Sequence, residues 1–221
     1  MASSANTRPL VEISKVVYYA NVLDLRNWPK RLKHADTVRQ NVVRLFSVLH
    51  DKQIDYLLIG GIALLQYIDA RNSADIDLII SPASLHKLPD LEIIDWSYDA
   101  VRGNFGELQI DFLLTDNPLF KKVQQEYGTT QEFAEGSAIC ATVEGLLLLK
   151  MYSLPALYRQ GQVIRASLYE NDIATLIYMY RPATESLIAE LAHHLSTSDL
   201  QVIANSLAEI QKRLDRIGAA K

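Results

Sequence analysis

The sequence lacks the features that mark several large classes of protein. It contains a single cysteine, Cys140, so no disulfide can form within the chain, and its five histidines show no zinc-ligand spacing. The most apolar patch, residues 146–149, is interrupted by Lys150 and falls far short of the ~20 residues needed to span a bilayer. Residues 1–9 contain no apolar core of a signal peptide. These absences predict a cytoplasmic protein with no membrane partner.

An excess of positive charge is also missing. The 221 residues include 22 Lys and Arg against 26 Asp and Glu, which gives a formal net charge of −4. A generally basic nucleic-acid-binding surface is therefore excluded, and any contact with RNA must come from a local patch. The hydrophobic share of 49% is typical of a globular protein of one or two domains. The sequence contains no internal repeat.

The stretch from residue 57 to 80 contains the most informative pattern. Residues 56–59 form an apolar run, which predicts a buried strand, and Gly60 and Gly61 end it. Apolar residues at helical spacing follow from Ile62 to Ile68, so the order is strand, glycine turn and helix N-terminus. Backbone N–H groups at such a turn suit a phosphate, because the missing Cβ lets an anion approach closely.

Two aspartates on the next predicted strand, residues 75–80, suggest a metal site. Strand periodicity places Asp75 and Asp77 on one face, ~6.5–7 Å apart, with the apolar residues on the other. A later alternating strand, residues 108–113, carries Asp111 on the face opposite Leu108, Ile110 and Phe112. Aspartates at strand ends are often simply solvated. If the two strands are neighbours, however, the three carboxylates converge and could hold Mg²⁺ or Mn²⁺ in a two-metal site.

Together, the glycine pair, Asp75-x-Asp77 and Asp111 resemble the nucleotidyltransferase superfamily typified by DNA polymerase β. Residues 71–74 (Arg-Asn-Ser-Ala) resemble the Arg-x-Thr/Ser-x that precedes the paired aspartates in its toxin-like branches. The resemblance implies an α+β fold: a nucleotidyltransferase-type mixed sheet flanked by helices, followed by a C-terminal helical bundle. It also implies that the following residues bind the nucleotide: Gly60, Gly61, Arg71 and Ser73.

The sequence departs from that superfamily pattern at two positions. The more common turn is Gly-Ser, whose hydroxyl contacts phosphate, whereas Gly61 leaves only backbone donors. Ser73 stands where threonine is more usual, which is a milder change.

The helical C-terminal part contributes two further candidate residues. Asp172 lies at the rim of an apolar helical stripe, so its carboxylate needs a cationic partner or a metal, and Lys150 is the obvious candidate. A lysine at position 150 could instead extend its amine to water. The segments Leu-Leu-Leu-Lys150, Tyr-Arg159-Gln and Tyr-Glu-Asn-Asp172-Ile resemble the abortive-infection type nucleotidyltransferase toxins, over roughly residues 55–178. That resemblance implies that Lys150 and Asp172 belong to the active site and that Lys150 contacts the nucleotide phosphates. Arg159 and Arg165 could add positive charge.

The remaining predictions concern organisation. The chain is divided into an N-terminal arm (1–35), a nucleotidyltransferase core (36–141) and a C-terminal helical region (142–221). Residues 10–25 suit either a short helix or an extended arm, residues 103–106 suit a turn, and Pro155 is expected to end the helix that Thr142 caps.

The predicted activity is metal-dependent transfer of NMP from an NTP to an acceptor hydroxyl, with Asp111 as the candidate general base. The family resemblance implies tRNA 3′ ends as the first choice of acceptor, in a toxin with a cognate antitoxin as partner. A protein hydroxyl is second and a small molecule such as an aminoglycoside is third. The alternative to an enzyme is a nucleotide-binding module that has lost catalytic activity.

Overall fold

A computed structural model of the chain describes residues 9–23, 35–69 and 73–219. The chain divides into two compact units. The first contains the described residues up to Leu113 together with Thr130–Cys140, and the second contains Leu114–Thr129 and the described residues from Ala141 onward.

A seven-stranded mixed sheet is the centre of the first unit, with the strand order β3-β4-β5-β2-β1-β7-β6. Strand β1 is antiparallel to β2 and parallel to β7, while β3, β4 and β5 form an antiparallel meander. The strands are β1 (Tyr56–Ile59), β2 (Ile76–Ile80), β3 (Leu91–Trp96), β4 (Ala100–Phe105), β5 (Leu108–Leu114), β6 (Gly128–Phe133) and β7 (Gly136–Ala141).

Of the two strands predicted to carry aspartates, β5 alternates as expected and β2 does not. In β5 every second residue is buried from Leu108 to Leu114, and Asp111 lies on the other, half-exposed face. In β2 only Asp77 is not buried. Burial of the apolar face fixes the register, because a slip of one residue would turn every aspartate inward.

The described residues of the first unit include the helices α1 (Ile13–Leu23), α2 (Ala35–Asp51), α3 (Gly60–Leu64) and α4 (Pro82–Leu85). The N-terminal segment, for which the sequence left two possibilities, uses both. Val11 forms an isolated parallel bridge with Phe133, and α1 follows as a helix. The carboxylate of Glu135 accepts hydrogen bonds from the N–H groups of Ile13 and Ser14 (3.0 and 2.8 Å), which satisfies donors at the start of α1.

In the described part of the second unit, the helices are α5 (Pro118–Glu126), α6 (Val143–Arg159), α7 (Val163–Tyr180), α8 (Thr184–Leu191) and α9 (Thr197–Ala219). Helix α6 packs against α5, α7, α8 and α9. The predicted cap is confirmed, because Thr142 Oγ1 accepts a hydrogen bond from Gly145 N at 3.3 Å. Within the described part of the chain, no helix is both long and apolar enough to cross a membrane.

Two local predictions are wrong. Pro155 does not end α6, which continues to Arg159. Leu154 and Leu157 are both buried on either side of the proline, and their packing outweighs the hydrogen bond that proline cannot make. Residues 103–105 belong to β4 rather than to a turn, and the reversal occurs at Gly106 and Glu107, where Gly106 has a φ of +61°.

The predicted fold class is confirmed: a mixed sheet flanked by helices, followed by a C-terminal helical region.

Candidate active site

Three aspartates of the first unit meet beside the centre of the sheet. Asp77 lies in β2, Asp75 directly precedes it, and Asp111 lies in β5, the neighbour of β2. One carboxylate oxygen from each lies within 4.8 Å of the others, and all three residues are half-buried. The convergence predicted from strand periodicity is therefore present in the structure.

The glycine turn lies against this cluster. Gly60 has a φ of +66°, a left-handed conformation that glycine adopts without a steric penalty. A Cβ added at Gly60 would lie 1.9 Å from Asp77 Oδ2, much closer than two such atoms can approach. Strand pairing explains this proximity, since Ile59 lies opposite Asp77 in the β1–β2 register. Only glycine leaves room at position 60 for the Asp77 carboxylate.

Ser73 lies between the same turn and the first aspartate. A Cβ at Gly61 would lie 2.5 Å from Ser73 Oγ, so the serine hydroxyl occupies the space that a side chain at position 61 would need. Ser73 is buried, and its Oγ donates to the carbonyl oxygen of Asp75 (3.1 Å) and lies 3.4 Å from Asp75 Oδ1. Arg71, the other candidate from this loop, lies outside the described residues.

These residues fit a divalent cation. Carboxylate oxygens are the ligands that Mg²⁺ and Mn²⁺ prefer, and three of them face one another here. Three carboxylates so close together also repel one another, and bound positive charge would relieve that repulsion. The missing Cβ at position 60 leaves room for the Asp77 carboxylate in this cluster.

Sequence analysis missed one residue of this cluster, Arg102 on β4. Its Nε donates to Asp111 Oδ1 at 2.7 Å and its Nη2 donates to Oδ2 at 2.6 Å. The hydrogen bond to Asp111 raises the pKa of the Arg102 guanidinium, and the charges of Asp111, Asp75 and Asp95 act in the same direction. The pattern that could have revealed Arg102 in the sequence is the hairpin formed by β4 and β5. A reversal at Gly106 and Glu107 places Arg102 directly opposite Asp111.

In the second unit, Lys150 and Asp172 form the ion pair inferred from the sequence. Lys150 Nζ lies 2.8 Å from Asp172 Oδ2, and the side chains are only 7% and 1% exposed. The ammonium group also lies 4.2 Å from the centre of the Tyr169 ring, within the range of a cation–π interaction. The predicted contact of Lys150 with nucleotide phosphates remains a prediction.

The two arginines named with them lie at the surface of the same unit. Arg159 Nη1 pairs with Asp199 Oδ1 near the start of α9. Arg165 lies over the Tyr169 ring, with 5.7 Å between its guanidinium carbon and the ring centre. Arg159 therefore already has an acidic partner, and its role in nucleotide binding remains a prediction.

The chain was compared with known proteins. No protein-family model and no curated protein matches it. Among solved structures it superposes on an antigenic nucleotidyltransferase-like protein from Paracoccidioides brasiliensis with a TM-score of 0.53. The two are 20% identical, and the match covers 81% of this chain and 90% of the other. The chain has a nucleotidyltransferase-like fold.

Two structures of the antibiotic-resistance factor ANT(2″)-Ia also match at lower TM-scores. One is its solution structure, with a TM-score of 0.47, 11% identity and coverage of 82% of this chain and 98% of the other. The second is a complex with adenylyl-2″-tobramycin, with a TM-score of 0.46 and 12% identity. That match covers 79% of this chain and 98% of the other. The nucleotidyltransferase-like fold agrees with the superfamily resemblance found in the sequence, while membership of the toxin-like branch remains a prediction.

Proposed function

We propose that this chain is a metal-dependent nucleotidyltransferase, which transfers NMP from an NTP to an acceptor hydroxyl. One observation carries the proposal: three carboxylates from two neighbouring strands lie within 4.8 Å of one another. They lie beside a glycine turn that has no room for a side chain. Such an arrangement suits a reaction whose main requirements are positioning and charge neutralisation of phosphates.

In the proposed reaction the acceptor oxygen attacks the α-phosphorus. A new bond forms between that oxygen and phosphorus, the bond to the bridging oxygen of the β-phosphate breaks, and pyrophosphate leaves. The three aspartates Asp75, Asp77 and Asp111 hold the divalent cations, which when bound neutralise the triphosphate and lower the pKa of the acceptor hydroxyl. Asp111, on the neighbouring strand, accepts the hydroxyl proton.

The turn and the loop before β2 bind the triphosphate in this proposal. Gly60 and Gly61 offer backbone N–H groups, and the hydroxyl of Ser73 lies where the side chain of a Gly-Ser turn would begin. Arg71, Lys150 and Arg159 are the proposed positive charges for the phosphates.

For the acceptor, the sequence resemblance supports the 3′ end of tRNA, with a cognate antitoxin as the protein partner. Protein hydroxyls and aminoglycosides are the competing acceptors, and a nucleotide-binding module without catalysis is the competing class. The possible acceptors and the inactive module differ in where the nucleotide is found after the reaction.

The experiment incubates the full chain with Mg²⁺ and each α-labelled NTP in turn, with total tRNA, cell protein or an aminoglycoside mixture as acceptor. We expect label on tRNA, at a 3′ end that can be identified by its sensitivity to periodate. The Asp77→Asn variant should lose the label while retaining the far-ultraviolet circular dichroism of the wild type. Label on protein or on an aminoglycoside would correct the acceptor. Nucleotide binding with no transfer to any of the three pools would favour the inactive module.

A further inference from the structure

Arg102 places a positive charge directly on one of the three proposed cation ligands. Its guanidinium spans the Asp111 carboxylate, with Nε 2.7 Å from Oδ1 and Nη2 2.6 Å from Oδ2. A guanidinium paired in this way engages both oxygens of the carboxylate at once. A divalent cation that binds Asp111 therefore meets the positive charge of Arg102 at the same carboxylate, which opposes its binding.

The strand register builds this pair into the sheet. Arg102 and Asp111 are directly opposite each other on β4 and β5, equally far from the tight reversal at Gly106 and Glu107. Side chains of such a pair share one face of the sheet with their Cβ atoms ~4.5–5.5 Å apart. The hairpin thus places the two side chains beside each other.

The ion pair of Arg102 and Asp111 is exposed enough to dissociate. The side chain of Arg102 is 47% exposed and that of Asp111 is 21% exposed. An arginine with this exposure can turn its guanidinium into solvent without leaving a buried, unpaired charge. The ion pair of Lys150 and Asp172, whose side chains are 7% and 1% exposed, has no such freedom.

We propose that Arg102 is an exchangeable counter-charge for Asp111: it neutralises this carboxylate until a divalent cation binds there, and the cation displaces it. This inference rests on the proposed function, because it assumes that Asp111 is a cation ligand. Arg102 acts through Asp111, so it is a positioning residue and not a catalytic one.

The exchange makes the three ligands unequal. Asp75 lies 3.5 Å from the amide nitrogen of Gln109, a neutral group, whereas Asp111 is paired with the full positive charge of Arg102. Cation binding through Asp75 and Asp77 should therefore be tighter than binding that needs Asp111. At ~6 Å in water, one positive charge weakens the binding of a divalent cation roughly tenfold.

The test measures cation binding without turnover. The full chain is titrated with Mn²⁺ alone, and free Mn²⁺ is followed by electron paramagnetic resonance in the wild type and three variants. Arg102→Gln removes the charge and Arg102→Lys keeps it without the two-pronged contact. Arg44→Gln is the matched control. Arg44 belongs to the same unit and is 60% exposed, and its Nη2 pairs with Asp90 Oδ2 at 2.7 Å.

We expect the weaker class of Mn²⁺ binding to tighten about tenfold in Arg102→Gln and by a smaller factor in Arg102→Lys. Arg44→Gln should bind as the wild type does. Unchanged or weaker Mn²⁺ binding in Arg102→Gln, in a protein with wild-type circular dichroism, would overturn the role of Arg102 and leave the proposed function standing. A wild type that binds no Mn²⁺ at millimolar concentration would overturn both.

Discussion

At the scale of single residues, the candidate site depends on a missing methyl group. Gly60 adopts a φ of +66°, and a Cβ at this position would lie 1.9 Å from Asp77 Oδ2. Gly161, between α6 and α7, has the same φ of +66° but no atom within 4 Å of an added Cβ. The two glycines therefore share the conformational requirement and differ only in the steric one.

That difference gives a direct prediction for Gly60→Ala and Gly161→Ala. Both should lower the free energy of unfolding by about 1–2 kcal/mol, because alanine is strained at positive φ. Only Gly60→Ala should also abolish Mn²⁺ binding through Asp77, since its methyl group displaces the carboxylate. Urea unfolding and Mn²⁺ titration measure the two effects separately. Equal Mn²⁺ binding by the two variants would contradict the role given to Gly60.

The predictability of the site also varies residue by residue. The convergence of Asp75, Asp77 and Asp111 followed from period-two alternation and needed only that β2 and β5 be neighbours. Arg102 could not be recognised in the same way, because an exposed arginine on a strand has no local signature. Its partner is defined by the hairpin register, and the Gly-Asn-Phe-Gly sequence suggested a reversal three residues too early.

At the scale of secondary-structure elements, the most buried ion pair among the described residues of the second unit joins α6 and α7. Lys150 and Asp172 approach to 2.8 Å with almost no exposure, and Tyr169 covers the ammonium. Breaking a buried pair by removing one partner is costly, because the remaining charge loses both water and its counter-ion.

We therefore expect Asp172→Asn to lower the free energy of unfolding by about 3–5 kcal/mol. The double variant Lys150→Met/Asp172→Leu should lose much less than the sum of the two single variants, because it leaves no buried charge. Urea denaturation followed by circular dichroism measures the wild type, Asp172→Asn, the single variants Lys150→Met and Asp172→Leu, and the double variant. If the double variant lost as much free energy of unfolding as the two single variants together, the two side chains would not depend on each other.

Element boundaries were predicted well where local patterns are strong. The limits of β1 match those of the structure, and the predicted cap at Thr142 is present. The failure at Pro155 has a tertiary cause. The continuation of α6 through Pro155 depends on burial of Leu154 and Leu157, which is a tertiary effect that the local sequence does not contain.

At the scale of the whole molecule, Cys140 reports on the integrity of the central sheet. It lies in β7, opposite Leu58 of β1, and is fully buried. Burial raises the pKa of its thiol from 9.0 to about 12. The folded state therefore holds the proton more tightly than the unfolded state does, so this group favours folding less as pH rises from about 9 toward 12.

Two results should follow for Cys140. At pH 8 a thiol reagent should label it slowly in the native protein and fast in urea, because the thiolate forms only when the sheet opens. Between pH 9 and 12 the wild type should lose more stability than Cys140→Ala, which has no thiol to titrate. Rapid labelling of the native protein, or identical pH profiles for the two proteins, would show that β7 is not protected as the structure indicates.

The central claim, that three convergent aspartates support nucleotidyl transfer, is tested most directly by comparing α-labelled with γ-labelled NTP. Parallel reactions contain Mg²⁺ and the acceptor pool that takes up label, with the wild type and Asp77→Asn. The account predicts that only α-label reaches the acceptor, that γ-label appears in pyrophosphate, and that Asp77→Asn gives neither product. Transfer of γ-label to the acceptor, or undiminished transfer by Asp77→Asn, would contradict it.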